Sequence, residues 1–167
     1  MGRGGVAVFV HPQAPVAGQD RVERQNLTQV IGFPLETALC MSRLIFGSVL
    51  ERWPGIRWCF SHAGGACASI VARLDHGWRV MEEARAAVPE PPSLYARRVW
   101  VDSIAHSPRA LALVLDTFGH DRVVLGSDYP FALGTEDPRA ALAAAALPPD
   151  VEQRLLRDNA LAFLGVS

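Results

Sequence analysis

Three short apolar segments of this chain each end at a residue that can bind a metal ion or transfer a proton. Segment 6–10 precedes His11, segment 56–61 precedes His62, and segment 122–127 precedes Asp128. In α/β enzymes, the carboxyl ends of parallel strands carry such side chains along one rim of the sheet. Because sequence of helical character separates the three segments, the pattern predicts that the three side chains share one rim.

Strand and helix signals alternate along the chain. Residues 6–10 are apolar and β-branched without polar alternation, which is typical of a strand buried on both faces of a parallel sheet. Polar residues 13–29 are predicted to form a functional loop. Repeated βα units indicate a parallel sheet with right-handed crossovers, either a small doubly wound sheet or half of a (β/α)₈ barrel. The predicted strands are 6–10, 56–61, 99–103 and 123–127, and the predicted helices are 34–53, 68–87, 108–118, 138–146 and 149–164.

Length, charge and cysteine content exclude several classes of protein. The 167 residues suffice for one domain, predicted to span 1–167, and the net charge of −1 offers no basic surface for nucleic acid or an anionic membrane. No apolar segment approaches the roughly 20 residues of a membrane helix. Cys40, Cys59 and Cys67 are odd in number and form no CxxC pair, so we expect free thiols and a cytoplasmic location.

The chemistry of the three rim residues suggests a metal or acid/base site. Imidazole nitrogen with carboxylate oxygen suits zinc or a similar divalent ion, and histidine also transfers protons near neutral pH. Each residue has a structural alternative: His11 as part of a strand terminator, His62 as a packing histidine, and Asp128 as a turn or N-cap residue. Their joint occurrence at three strand ends favours a site. His62 is its strongest member because two glycines follow it closely.

Two further residues are weaker candidates. His106 follows the third predicted strand. It either holds the metal ligands in position from outside the ligand set or begins the next helix. Arg73 lies on the second predicted helix, where an ion pair with a nearby acid such as Asp75 is its simplest interpretation. The residues by themselves leave both assignments open.

Six motifs in a fixed order connect the chain to a known family. They resemble the carboxyl half of the decarboxylases of the 2-amino-3-carboxymuconate 6-semialdehyde type, within the amidohydrolase superfamily. The resemblance extends over nearly all of the chain from His11 onward, and the ordered set is specific to this branch of the superfamily. The motifs occupy residues 33–37, 45–54, 59–65, 102–108, 125–134 and 159–165.

The resemblance implies a metal-dependent (β/α)₈ barrel that decarboxylates a small unsaturated or aromatic carboxylic acid. Zinc is the usual metal, and manganese is a competitor for such a site. On the family pattern, His11 and Asp128 match metal ligands, and His62 matches the histidine that acts as acid and base. Arg73 matches an arginine that reaches across a dimer interface towards the neighbour's substrate, which makes it a substrate-binding candidate.

One family motif has no counterpart in this chain. The family begins with a strand carrying His-x-His, which supplies two further metal ligands, and no His-x-His is present here. The chain therefore resembles the last four βα units of the barrel together with its C-terminal helices. We expect it to be impaired alone, and to form a homodimer or bind a complementing N-terminal half. A metal-dependent hydrolase, lactonase or hydratase on the same fold, and a non-catalytic barrel fragment or interaction subunit, are the alternatives.

Overall fold

A four-stranded parallel sheet forms the centre of the computed structural model, which describes residues 5–13, 15 and 18–166. The strands lie side by side in chain order, β1-β2-β3-β4. A doubly wound sheet reverses its strand order at a switch point, whereas a barrel keeps the order sequential. The fold is therefore the predicted partial (β/α)₈ barrel. The strands are β1 Ala7–Val10, β2 Arg57–Phe60, β3 Trp100–Asp102 and β4 Val123–Val124.

Nine α-helices lie between and after the strands within the described residues. Short turns of other helix types occur at Gln19–Arg21, Thr28–Gly32, His62–Gly64 and Arg154–Asp158. Among the described residues, no helix is both long and apolar enough to cross a membrane. The helices are α1 Phe33–Phe46, α2 Val49–Arg52, α3 Cys67–Val80, α4 Glu82–Ala87, α5 Pro92–Ala96, α6 Pro108–Phe118, α7 Pro138–Ala143, α8 Pro149–Gln153 and α9 Asn159–Leu164.

Helix α6 has the boundaries that its sequence predicts. Pro108 occupies the first turn, where its missing N–H group has no helical partner to lose. The Ser107 hydroxyl oxygen accepts a hydrogen bond from the Ala110 N–H at 3.1 Å and caps the helix. At the other end, Gly119 has a φ of 102°, a conformation that favours glycine. Local capping chemistry is thus sufficient to define this element.

Two helices that were predicted as continuous are interrupted. Helix 34–53 is divided into α1 and α2, because Ser48 adopts a left-handed φ of 57° and donates its hydroxyl to the Ala87 carbonyl oxygen at 2.7 Å. Helix 68–87 is divided at Met81, whose extended backbone separates α3 from α4. In the first case a tertiary contact with Ala87 holds the residue at which the helix breaks.

Other differences concern short elements. No helix is predicted between helix 68–87 and strand 99–103, but α5 lies there and begins at Pro92. The last strand is shorter than 123–127, because the Leu125 N–H donates to the Leu155 carbonyl oxygen instead of continuing a ladder. The predicted loop 13–29 includes residues 14, 16 and 17, which lie outside the described residues. Its last two residues already belong to the turn Thr28–Gly32.

Two apolar layers cover the faces of the sheet. On one face, Phe60, Val101 and Val123 share a register across three strands and are buried against the helices. On the other face, Cys59 and Trp100 pair in register and pack with Phe163 of α9. Both faces of the short strands are therefore apolar, as expected for barrel strands.

The C-terminal helix lies at the amino-terminal end of the strands. Arg57, the first residue of β2, donates from Nε to the Phe163 carbonyl oxygen at 2.5 Å and from a terminal nitrogen to the Gly5 carbonyl oxygen at 2.7 Å. These bonds join the start of β1 to the end of α9. The opposite, carboxyl-terminal end of the sheet remains available for a functional site.

Candidate metal centre and pocket

His11, His62 and Asp128 converge at the carboxyl ends of the strands. The Asp128 Oδ1 lies 3.9 Å from His11 Nε2 and 3.7 Å from His62 Nε2. One donor atom from each residue falls within 4.8 Å of the other two. The two imidazole rings meet edge to face, with 4.9 Å between their centroids. The structure therefore brings together the three side chains that the strand-end pattern places on one rim.

A turn of unusual backbone conformation presents His62. His62, Ala63, Gly64 and Gly65 have φ values of 54°, 55°, 75° and 62°, so four consecutive residues have positive φ. A Cβ at Gly64 would lie 2.8 Å from the Phe118 ring, and a Cβ at Gly65 would lie 2.3 Å from a main-chain oxygen. The glycines thus allow α3 to start directly behind the histidine.

Asp102, the last residue of β3, binds the main chain of this turn. Its Oδ2 accepts from the His62 N–H at 2.9 Å, and its Oδ1 accepts from the Ala63 N–H at 2.7 Å and the Ile104 N–H at 3.0 Å. Burial raises the pKa of this carboxyl, and the three main-chain donors oppose that shift. The sequence prediction omits Asp102. The available signal is a carboxylate inside the apolar segment 99–103, which needs partners when buried.

Asp128 lies on a compact turn after β4. It has a φ of 58°, and its carbonyl oxygen accepts from the Phe131 N–H at 2.9 Å. The Thr135 N–H donates to the Ser127 carbonyl oxygen at 2.7 Å and closes the loop. A Cβ at Gly134 would lie 2.5 Å from that same Ser127 oxygen, so glycine is needed at this close approach.

His11 and His62 differ in their surroundings: a hydrogen bond fixes the ring of His11, and burial affects the pKa of His62. His11 Nδ1 lies 2.9 Å from the Pro12 carbonyl oxygen, which accepts from an Nδ1–H and leaves the Nε2 lone pair directed at Asp128. The pKa of His62 is lowered by burial, while the nearby charges of Asp102 and Asp128 act in the opposite direction. His62 is therefore held towards its neutral form, in which it can accept a proton.

The donor set fits a divalent metal ion. Metal–ligand distances of about 2.0–2.2 Å place the donors of a tetrahedral zinc site roughly 3.3–3.5 Å from one another. The 3.7 Å and 3.9 Å separations to Asp128 Oδ1 are a few tenths of an ångström longer, so the side chains would move closer together around an ion. Two imidazoles and a carboxylate also suit manganese, so the donors do not select the metal by themselves.

A cavity of about 730 Å³ opens beside the three residues. Its walls are mainly apolar and include Phe33, which stacks on the His62 ring at 6.4 Å between centroids. Neutral amides from the loop before α1 complete the wall. Among its described lining residues there is no arginine. Further lining residues are Gln25, Asn26, Gln29, Val30, Leu113, Val114, Phe131 and Leu133.

The two weaker candidates occupy different places. His106, with a φ of 58°, lines both this cavity and a second cavity of about 370 Å³ on the other side of its loop. Arg73 is exposed on α3 and lies outside the lining of the larger cavity. It forms no ion pair with Asp75 among the described residues, since the Asp75 carboxylate accepts from the Ser93 N–H at 2.9 Å.

Comparison with known proteins yields one consistent set of relatives. The chain is 37% identical over 164 residues to a 2-amino-3-carboxymuconate-6-semialdehyde decarboxylase of Dictyostelium discoideum, covering 97% of this chain and 45% of that protein. The Caenorhabditis elegans enzyme of the same name is 36% identical over 130 residues, covering 77% of this chain and 32% of that protein. The chain thus spans less than half the length of these curated relatives.

Solved structures agree with this result. The 5-carboxyvanillate decarboxylase of Sphingomonas paucimobilis superimposes with a TM-score of 0.83 at 25% identity, covering 96% of this chain and 50% of that one. A dihydroxybenzoic acid decarboxylase of Polaromonas sp. JS666, solved with bound manganese, gives 0.80 at 16% identity over 94% of this chain and 49% of that one. The family model described as Amidohydrolase matches residues 1–166. The chain therefore belongs to the amidohydrolase family.

Proposed function

We propose that this chain forms the carboxyl-terminal half of a metal-dependent decarboxylase that acts on a small unsaturated or aromatic carboxylic acid. One observation carries the proposal: His11, His62 and Asp128 converge within 4.8 Å beside a largely apolar cavity. The relatives named as decarboxylases support the reaction class. The proposed unit spans 1–167, and its three free cysteines support a cytoplasmic location.

His11 and Asp128 are the proposed metal ligands. Their donors project from the ends of the first and last strands, and Asp128 is well shielded from solvent. A zinc or manganese ion held by these two residues would supply positive charge for binding a substrate carboxylate. The fixed Nδ1–H of His11 keeps its other nitrogen oriented for this task.

His62 is the proposed proton carrier. Its Nε2 faces the same space as the proposed ligands, and its lowered pKa keeps the imidazole neutral, so that it can accept a proton. When the bond between the substrate carbon and its carboxyl group breaks, the electron pair remains on that carbon and delocalises into the unsaturated system. Carbon dioxide leaves, and a proton that His62 has taken up from water forms the new C–H bond.

The cavity walls suit a flat, largely apolar substrate. Phe33 provides aromatic surface next to His62, Phe131 adds a second ring to the cavity lining, and the walls are mainly apolar. His106 also lines this cavity and is proposed to support the site from outside the ligand set. Because Arg73 is exposed and outside the cavity, it would reach a substrate only in a neighbouring copy of the chain.

The metal centre needs more ligands than this chain contributes. Catalytic zinc sites commonly use three protein ligands, and His62 cannot both ligate and transfer protons. We therefore propose that an N-terminal half barrel supplies the remaining ligands. The two edges of the sheet, at β1 and at β4, differ in how accessible they are to such a partner.

Only one of those edges presents a free surface among the described residues. At β4, the Asn159 amide donates to the Val123 carbonyl oxygen at 2.7 Å, and Leu125 bonds to Leu155, so outward-facing groups are already used. At β1, Phe9 is 56% exposed, and Leu35 and Leu39 form an exposed apolar strip on α1. A βα unit that pairs with β1 in parallel would cover this strip and place its own strand end beside His11.

Reconstitution tests the proposal. The chain is co-expressed with the N-terminal half of the Dictyostelium relative, loaded with zinc or manganese, and assayed for carbon dioxide release from unsaturated and aromatic acids. Release by the mixture, and not by either half, is expected, and Asp128→Asn should abolish it. A ring-opened product without carbon dioxide would instead indicate a hydrolase, lactonase or hydratase. Absence of both metal binding and product would indicate a non-catalytic fragment, and a stable complex of identical copies would indicate a homodimer.

A further inference from the structure

Asp102 belongs to no proposed ligand set, yet it is only 2% exposed and binds the His62 turn through both carboxylate oxygens. We infer that Asp102 is a positioning residue, whose carboxylate fixes the His62 main chain in the left-handed conformation that directs the imidazole towards Asp128. The significance of this role for catalysis rests on the proposed function. The conformation of the His62 turn is a property of the chain without any metal.

Backbone strain in the turn requires an external restraint. His62 and Ala63 both carry a Cβ and both have φ near 55°, a region that such residues rarely adopt. Main-chain bonds within the turn exist, such as Gly65 N–H to the His62 carbonyl oxygen at 2.8 Å. They leave the N–H groups of His62 and Ala63 to Asp102, which accepts both. Without the carboxylate, two buried donors in strained residues would lose their partner.

The environment of Asp102 distinguishes it from an ordinary capping residue. Asp137, for example, caps α7 by accepting from residues two and three positions ahead, at the exposed surface. Asp102 accepts one such local bond, from the Ile104 N–H, but it also accepts from two residues about 40 positions away on the neighbouring strand end. No cation pairs with it among the described residues, so its charge is satisfied by main-chain donors that all lie at the rim.

The next strand leaves space for this arrangement. A Cβ at Gly126, just after β4, would lie 2.8 Å from Asp102 Cβ and 3.3 Å from its Cγ. Glycine at this position lets the carboxylate reach the His62 turn without displacement. Asp102 thereby links three consecutive strand ends: its own, that of His62 and that leading to Asp128.

The unequal use of the two oxygens makes Asp102→Asn a selective test. Oδ1 accepts two N–H groups, from Ala63 and Ile104, whereas Oδ2 accepts one, from His62. The single carbonyl oxygen of asparagine retains more bonds when it replaces Oδ1. Its NH₂ group then faces the His62 N–H, and donor opposes donor. The variant should release His62 while keeping Ala63 in place.

Nuclear magnetic resonance of the metal-free chain measures this release. In the unmodified protein we expect protons of the His62 ring to give cross-relaxation with those of His11 and Phe33, whose rings lie 4.9 Å and 6.4 Å away. In Asp102→Asn these signals should disappear, and exchange of the His62 amide proton should accelerate at least 10-fold relative to Ala63. Asp75→Asn is the matched control, because Asp75 also accepts one main-chain N–H but lies away from the rim.

Each outcome decides the inference. Unchanged ring contacts of His62 in a folded Asp102→Asn variant would overturn it, as would an equal acceleration of all amides of the sheet. If that variant fails to fold, Gly126→Ala replaces it, because the added Cβ must displace Asp102 while its charge is kept. Retained His62 contacts in that variant would also overturn the inference. A reconstituted enzyme that releases no carbon dioxide would contradict the proposed function and leave this result unaffected.

Discussion

Asn159 donates its side-chain amide to the Val123 carbonyl oxygen at 2.7 Å and to the His120 carbonyl oxygen at 2.9 Å. Val123 is the first residue of the short strand β4 and His120 precedes it, so a side chain from the last helix takes the place of a neighbouring strand. Asn159 is 4% exposed, and both bonds are therefore shielded from water. A partial barrel avoids one reactive sheet edge in this way.

Asn159→Leu should destabilise the chain. The substitution keeps the side-chain volume approximately but leaves two carbonyl oxygens without donors, which we expect to lower the free energy of unfolding by about 2–3 kcal/mol. Urea denaturation followed by circular dichroism measures the change. Asn159→Asp should cost more at pH 7, because a carboxylate would face two carbonyl oxygens. Equal stability of Asn159→Leu and the unmodified chain would show that the β4 edge does not depend on this residue.

Gly64→Ala should destabilise the rim turn strongly. Gly64 has a φ of 75°, and a Cβ there would lie 2.8 Å from the Phe118 ring and 3.0 Å from Val101. Strain and overpacking together should lower the free energy of unfolding by about 2 kcal/mol or more. Gly55→Ala is the matched control, because a Cβ at Gly55 meets nothing within 4 Å. Its effect should remain within about 0.5 kcal/mol. Similar losses in both variants would contradict the packing argument.

The positions of the three rim residues could be predicted from the sequence. Each directly follows an apolar segment, and this pattern is visible in neighbouring residues. Asp102 could not be assigned in the same way, since the donors that it binds lie about 40 residues earlier and only the fold brings them near. The break at Ser48 was missed for a related reason. Its hydroxyl partner is Ala87, and no local signal identifies that contact. Long-range hydrogen bonds thus account for both omissions.

Metal affinity should depend on Asp128 and His11 but not on distant histidines. Removing either of the two proposed ligands should weaken zinc or manganese binding at least about 10-fold, the effect that even an outer-shell partner commonly has. Calorimetric titration of the reconstituted complex measures it for Asp128→Asn and His11→Ala. His76→Ala is the control, because His76 lies on the exposed surface of α3. Binding that is equally strong in all three variants would exclude the proposed ligands.

Stability of the metal-free chain should depend on pH through His62. Burial lowers the pKa of this imidazole below its unfolded value of 6.5, so the unfolded chain binds more protons between the two pKa values. The contribution of neutral His62 is therefore fully present above about pH 6.5 and is lost as the pH falls through that value towards the lower folded pKa. His62→Gln removes the titrating group and keeps a polar side chain. Urea midpoints at pH 7.5 and 5.5 should differ less in this variant than in the unmodified chain. An equal or larger difference would mean that His62 is not held neutral by its surroundings.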